Sequence, residues 1–218
     1  MSTRKVLQGY DREESVPRSE YFGDSYFELT QLFSLSHQIH GIHKMRPKSI
    51  LEIGIGNGMV SDFFKKAGVP VTTADINPSL NPDLLAPLQE LPQLMGARRV
   101  DVVVCCEVLE HMPLEELPRN IATLRSLGRR LFLTLPNYRK TFGLGGVLRL
   151  PKVPPKPWSL TFDLPGRKAL ADAHFWEVGS APTCSNSAIV QELRKHYSAV
   201  SAGRFALNRY HRVYVAED

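Results

Sequence analysis

Cysteine is scarce: three in 218 residues, two of them the adjacent Cys105 and Cys106. That is neither a disulfide framework nor a zinc-ligand spacing, so a reduced, cytoplasmic protein with no metal is expected. No apolar run approaches the ~20 residues that span a bilayer. The opening residues, MSTRKVLQGYDREES, carry no signal-peptide apolar core. Acids are scarce in one place only. Residues 119–168 hold eleven Lys or Arg and one acid, Asp163, while the preceding fifty lean acidic. A net charge of +5 hides this asymmetry. The basic stretch is either a solvated face or a basic lobe over an anionic acceptor. Its aromatics are few (Tyr138, Phe142, Trp158, Phe162) and form no stacking pattern of the kind RNA readers use.

What remains is ordinary for a globular chain: 43% hydrophobic and 22% charged residues. The length suits a single domain over 1–218, with an N-terminal helical arm at 1–46 and a basic, Pro-rich lid or insertion at 136–175. Apolar residues at Phe27, Leu32, Leu35, Ile39 and Ile42 predict a helix that Pro47 ends. KSILEIG, VPVTTADI, RVDVVVCCEVL and RRLFLTLPN read as buried strands. GMVSDFFKKAG and PLEELPRNIATLRSLG read as helices between them, the second with Pro118 kinking its first turn. The four-proline stretch from 77 to 96 is expected to hold only a short extended piece. SNSAIVQELRKHY predicts a helix, followed by a hairpin of YSAVSAGRF and RYHRVYVAE. Alternating strands and helices imply an α/β fold, a doubly wound, mostly parallel seven-stranded sheet closed by an antiparallel hairpin.

The segment ILEIGIGNGMVSDFF places Gly54, Gly56 and Gly58 within five positions, between a strand and a helix. So many glycines loosen a fold unless the backbone turns sharply or something approaches closely. No Lys follows as a phosphate-binding P-loop requires, and Met59 occupies the third glycine of a dinucleotide GxGxxG. The pattern is ExGxGxG, with Asp75 ending the next strand. A carboxylate there can accept both hydroxyls of a ribose, which fits a nucleoside without phosphate.

On these residues the chain resembles the class I S-adenosylmethionine-dependent methyltransferases, of the type 11-like kind. LEIGIGNG is similar to their first motif, ADIN to their second-strand acid and VVVCCEVLEHMP to their fourth-strand motif. The resemblance implies a Rossmann-like fold and S-adenosyl-L-methionine as cofactor. It implies that Gly54, Gly56 and Gly58 admit the methionyl part and sugar, with Glu52 beneath the turn. Asp75 would hold the ribose and Ile76 cover one adenine face. Pro87 stands where many relatives have an adenine-binding aspartate, so adenine recognition falls to the backbone around Leu88. Glu107 would line the floor between cofactor and acceptor.

For the acceptor, the (N/D)PP(Y/F) clamp of nucleobase amino-methyltransferases is missing; the fourth strand ends in CCEV. AHFWEVG, residues 173–179, is similar to a segment in a branch acting on small molecules or glycans. O-methylation of a small-molecule or glycan-type acceptor is therefore expected. A nucleic-acid methyltransferase and a non-catalytic cofactor-binding subunit are the alternatives. A weakly acidic hydroxyl needs a base. His174 follows the insertion, has Phe175 and Trp176 to exclude water, and has Glu177 to orient it, so it is the first candidate, with His111 next. Arg139, Lys140 and Trp176 are the expected acceptor contacts.

Overall fold

In the computed structural model, residues 9–167, 169–205, 208 and 210–218 are described. Seven strands form one sheet in the order β3-β2-β1-β4-β5-β9-β8. They are β1 (Ile50–Ile53), β2 (Val71–Asp75), β3 (Leu84–Leu85), β4 (Val100–Cys106), β5 (Gly128–Pro136), β8 (Ala199–Arg204) and β9 (His211–Glu217). The first five run parallel, and β9 runs antiparallel between β5 and β8. The expected doubly wound sheet with its closing hairpin is what the chain forms.

Side-chain alternation sorts the core into two layers, as a period of two requires. Leu51, Ile53, Val103, Cys105, Leu131, Leu133 and Leu135 face one layer, with Leu91, Ile121, Leu124, Ile189 and Leu193 from helices Leu91–Met95, Leu117–Leu127 and Asn186–Arg194. Ile50, Val102, Val104 and Phe132 face the other, against Leu35, Ile42, Val60 and Phe64 from helices Leu29–Lys44 and Met59–Lys66. Burying each such aliphatic side chain contributes roughly 1.5–3 kcal/mol. Both faces of the sheet are thus covered, and its carboxyl edge stays free for a site.

Two local expectations are corrected, and a third element takes definite form. Residues 77–96 hold more than an extended piece: Pro92 opens the short helix Leu91–Met95. Proline's fixed φ suits a first helical turn, where its missing N–H bonds nothing. Pro118 likewise lies in the first turn of Leu117–Leu127, so the α-helix starts beside this proline and not at Pro113 as the sequence suggests. The basic stretch is an ordered two-stranded ribbon, β6 (Arg139–Leu150) paired antiparallel with β7 (Val153–Arg167). Its prolines are tolerated because each strand of an isolated pair has one unbonded edge. Cross-strand pairs Phe142–Phe162, Leu144–Leu160 and Gly146–Trp158 put five exposed apolar side chains on one ribbon face. Asp163 pairs with Arg204 of β8 at 2.7 Å. Among the described residues no helix is long and apolar enough to cross a membrane.

Candidate active site

A cavity of about 840 Å³ opens at the carboxyl ends of β1, β2 and β4. That is within the ~300–1,000 Å³ of small-molecule sites. The glycine turn forms part of its floor. Gly54 has φ +77° and Gly56 φ +52°, backbone that side chains seldom adopt. A Cβ on Gly54 would collide with a methyl of Val108, so that glycine serves close packing. One on Gly56 would meet nothing nearer than Tyr21 and Tyr26 at 4.0 Å, so the space above it belongs to the cavity. Gly58, φ +76°, precedes the helix Met59–Lys66 and does not line the cavity.

Asp75 works in two directions. Its Oδ2 accepts the Ile55 amide at 2.9 Å and its Oδ1 accepts the Asn77 amide at 2.9 Å, tying β2 to the glycine turn. Burial raises its carboxyl above the ordinary range. Its remaining lone pairs face the cavity, where vicinal hydroxyls can donate to them. Glu52 lies deeper, with Oε2 enclosed and unpartnered among the described residues. Burial pushes its carboxyl up to about 8, against a smaller opposing effect of Ser61. Ile76, Ala86, Leu88 and Met112 supply apolar lining.

Residues 9–26 roof the cavity, with Arg12, Glu13, Tyr21 and Tyr26 among its lining. Buried Asn77 fastens this roof: its Nδ2 donates to Val16 O at 2.8 Å and Glu13 O at 3.2 Å. Residues 171–174, the end of the 136–175 stretch, line the cavity beside this N-terminal arm, while the ribbon residues do not.

The far end is ionisable. Glu107, which begins the turn after β4 with φ +56°, pairs its Oε2 with His211 Nε2 at 3.1 Å. His211 Nδ1 in turn meets Ser34 Oγ at 2.6 Å. Burial opposes ionisation of Glu107, but His211, with smaller help from Thr134 and His174, outweighs it and holds the carboxyl below its ordinary value. Next to it, Glu110 is fully buried, and both of its oxygens lack partners among the described residues. Burial, then the Glu107 charge, drives its carboxyl well above the ordinary range. His111 and His174 line the cavity edge to edge, their rings 5.0 Å apart at 82°. His111 Nδ1 is 3.2 Å from Ala173 O and 3.4 Å from Glu13 Oε1. Burial lowers its pKa, with the Glu13 carboxylate opposing. His174 Nδ1 is 3.1 Å from Glu177 Oε1.

Of the residues singled out in the sequence, Glu52, Gly54, Gly56, Asp75, Ile76, Leu88, Glu107, His111 and His174 line this one cavity. Trp176 does not: it is 2% exposed, and its indole donates to Met112 O at 3.0 Å within the core. That corrects its place as an acceptor contact. Arg139 and Lys140 are exposed at the base of the ribbon, outside the cavity lining. Sequence reasoning missed Glu110, His211 and Ser34. Glu110 carried a signal, its spacing of three from Glu107 in EVLEH.

A mostly parallel sheet of this order, with a glycine turn after β1, an aspartate closing β2 and a roofed cavity between them, defines a class I S-adenosylmethionine-dependent methyltransferase domain. A family model described as a methyltransferase domain matches residues 26–177, and the chain belongs to that family. Among curated relatives, a ubiquinone biosynthesis O-methyltransferase from Coxiella burnetii (strain Dugway 5J108-111) is 31% identical over 107 residues, 43% of this chain and 45% of that protein. One of the same name from Cupriavidus pinatubonensis is 30% identical over 113 residues, 45% of each chain. The chain spans about half the length of these relatives. A solved magnesium protoporphyrin IX methyltransferase from Synechocystis PCC 6803, with bound SAM, has a similar fold. Its TM-score is 0.55 at 16% identity, over 99% of this chain and 100% of that one.

The residues fit the family's cofactor, S-adenosylmethionine. Gly56 leaves room for it, Asp75 offers acceptors to a ribose, and the enclosed Glu52 oxygen awaits a cationic donor.

Proposed function

We propose that the protein is an S-adenosylmethionine-dependent O-methyltransferase acting on a small hydroxylated acceptor, of small-molecule or glycan type. One observation carries this reading: a single cavity runs from the glycine turn and Asp75 to the paired imidazoles of His111 and His174. Bound there, the cofactor supplies a methyl group made electrophilic by its sulfonium. The protein's share is placement and exclusion of water. Asp75 and Glu52 hold the nucleoside and methionyl parts, Leu88 and Ile76 sandwich the base, and the N-terminal arm shuts out solvent. Glu107, His111 and His174 meet the acceptor hydroxyl. The O-methyltransferase relatives support oxygen as the methylated atom.

The test is an S-adenosylhomocysteine release assay on the purified chain against simple phenols, catechols and sugars. Turnover with at least one hydroxyl acceptor, and its loss when that hydroxyl is already methylated, is the expected result. Cofactor binding without turnover on any acceptor favours a non-catalytic subunit. Turnover on RNA alone overturns the acceptor class.

A further inference from the structure

We propose that Glu110, His111 and His174 hold a divalent transition-metal ion at the acceptor end of the cavity, and that this ion takes the acceptor hydroxyl as its open ligand. The second half rests on the methyl-transfer reading; the first does not.

Three independent features converge on these side chains. Glu110 is 0% exposed, and the side chain that faces its carboxyl is another acid, Glu107, which offers it no positive charge. Ionising this carboxyl beside the acid Glu107 costs several kcal/mol unless a cation compensates it, and no described Lys or Arg does so. A cation would supply what the protein leaves out.

Second, one ligating atom from each of Glu110, His111 and His174 lies within 4.8 Å of the others. Ligands bound at ~2.0–2.2 Å on opposite sides of one ion stand up to ~4.3 Å apart. A small rotation of one side chain closes the difference.

Third, both histidines are already held from behind. His174 Nδ1 is engaged by the Glu177 carboxylate at 3.1 Å and His111 Nδ1 by the Ala173 carbonyl at 3.2 Å. Each ring therefore keeps Nε2 to ligate with. A carboxylate or carbonyl behind the far nitrogen is the arrangement that fixes tautomer and aim in metal-binding histidines. The edge-to-face ring geometry lets the two imidazoles converge without stacking.

The donor set indicates the ion. Two imidazoles and one carboxylate suit manganese, iron, cobalt or zinc; magnesium and calcium favour all-oxygen shells. Glu110 is enclosed behind, while His111 and His174 line the cavity. Three protein ligands with the remaining positions facing a cavity are what a working site has, as opposed to a closed structural one. The chemistry balances without an added reactant. The acceptor O–H proton leaves to water, the oxygen–methyl bond forms, and the methyl–sulfur bond breaks with its electron pair returning to sulfur. The ion lowers the cost of that proton's departure and emerges with its charge unchanged.

The experiment is titration of the chelator-treated full chain with Mn²⁺, following free Mn²⁺ by electron paramagnetic resonance and the melting temperature in parallel. One Mn²⁺ per chain and a rise in melting temperature without cofactor are expected. Glu110→Gln keeps the shape, and should weaken Mn²⁺ binding at least tenfold while calorimetry finds S-adenosylmethionine affinity unchanged. Should Glu110→Gln fail to fold, His174→Ala at the cavity margin gives the same readout. No Mn²⁺ binding to the wild type, or binding equal in wild type and variant, overturns the site. Mn²⁺ bound as described, with no hydroxyl acceptor methylated in its presence, upholds the site and overturns the acceptor reading alone.

Discussion

His211 Nε2 lies 3.1 Å from Glu107 Oε2, so the last strand of the sheet grips the carboxylate that begins the turn after β4. The grip extends to Ser34 on the N-terminal helix, 2.6 Å from the other ring nitrogen. Three distant parts of the sequence thus meet at the cavity floor. His211 and Ser34 are 4% and 0% exposed, which makes them supports of Glu107 and no nucleophilic pair.

Replacing His211 by Ala leaves the half-buried Glu107 carboxylate and the buried Ser34 hydroxyl without their shared partner. Leaving such a buried polar group unsatisfied costs about 1–3 kcal/mol. Urea unfolding of His211→Ala should show a loss of that order. His211→Gln, which can still donate to Glu107, should lose less than half as much. Equal losses would show that the ring's bulk matters and its hydrogen bonds do not.

Gly56→Val should separate binding from folding. The left-handed backbone penalises any side chain, by roughly 1–2 kcal/mol for a non-glycine residue, but the site is open and nothing clashes within 4 Å. The protein should fold with a modestly lower melting point. Cofactor-induced thermal stabilisation should vanish, because the valine occupies the cavity. A variant that S-adenosylmethionine stabilises as well as wild type would make Gly56 a turn residue only.

The cofactor half of this site was legible because its demands are local in sequence. A tight turn after β1 needs glycine, a ribose needs a carboxylate on the next strand, and ExGxGxG with Asp75 records both within a few residues. The sheet was legible for a similar reason: runs such as VDVVVCC leave little choice between buried strand and anything else. The acceptor half was legible only in pieces. His174 and Glu177 are neighbours in sequence, and their pairing was readable. His211 reaches Glu107 only because β9 inserts antiparallel beside β5, a consequence of whole-sheet topology. Trp176 misled because an aromatic beside a histidine fits a pocket and a core equally. Its burial against Met112 is decided by where the 173–179 segment crosses the loop after β4. That the 136–175 insertion is a two-stranded ribbon was not legible, because its prolines and cations mask the strand pattern that Phe142–Phe162 and Leu144–Leu160 complete across two strands.

Glu52 predicts a pH dependence with a definite sign. Its ordinary carboxyl value is 4.5 and burial raises it to about 8 in the folded protein. The folded state therefore prefers the neutral acid. Stability from this group is fully present below pH ~4.5 and declines as pH rises toward 8, by about 1.4 kcal/mol per pH unit at the limit. A cationic amino group of the cofactor favours the ionised form instead, so binding expels a proton. S-adenosylmethionine affinity should rise between pH 6 and 7.5, up to about tenfold per unit. Calorimetry in buffers of different ionisation enthalpy should register the released proton. Glu52→Gln should be the more stable protein at pH 8.5, and its affinity should be flat across the window. A wild-type affinity equally flat would mean that Glu52 meets no charge on the ligand.

His174 is the residue whose removal should hurt chemistry most and cofactor binding least. It lines the cavity, with Nδ1 held by Glu177. Its side-chain partner is Glu177, which is none of the groups assigned to the cofactor (Glu52, Gly56, Asp75, Leu88). His174→Gln should lower turnover by ~10²–10⁴-fold, the usual worth of a group that manages the acceptor's proton. The dissociation constant for S-adenosylmethionine should stay within about twofold, since no contact assigned to the cofactor is altered. Trp176→Phe is the matched control from the same segment. It loses a buried hydrogen bond to Met112 O, so it should cost ~1–3 kcal/mol of stability and leave turnover per folded molecule near normal. If His174→Gln turns over as fast as wild type while Trp176→Phe does not, the segment 173–179 serves the acceptor through its aromatics, and the imidazole only fastens the loop to Glu177.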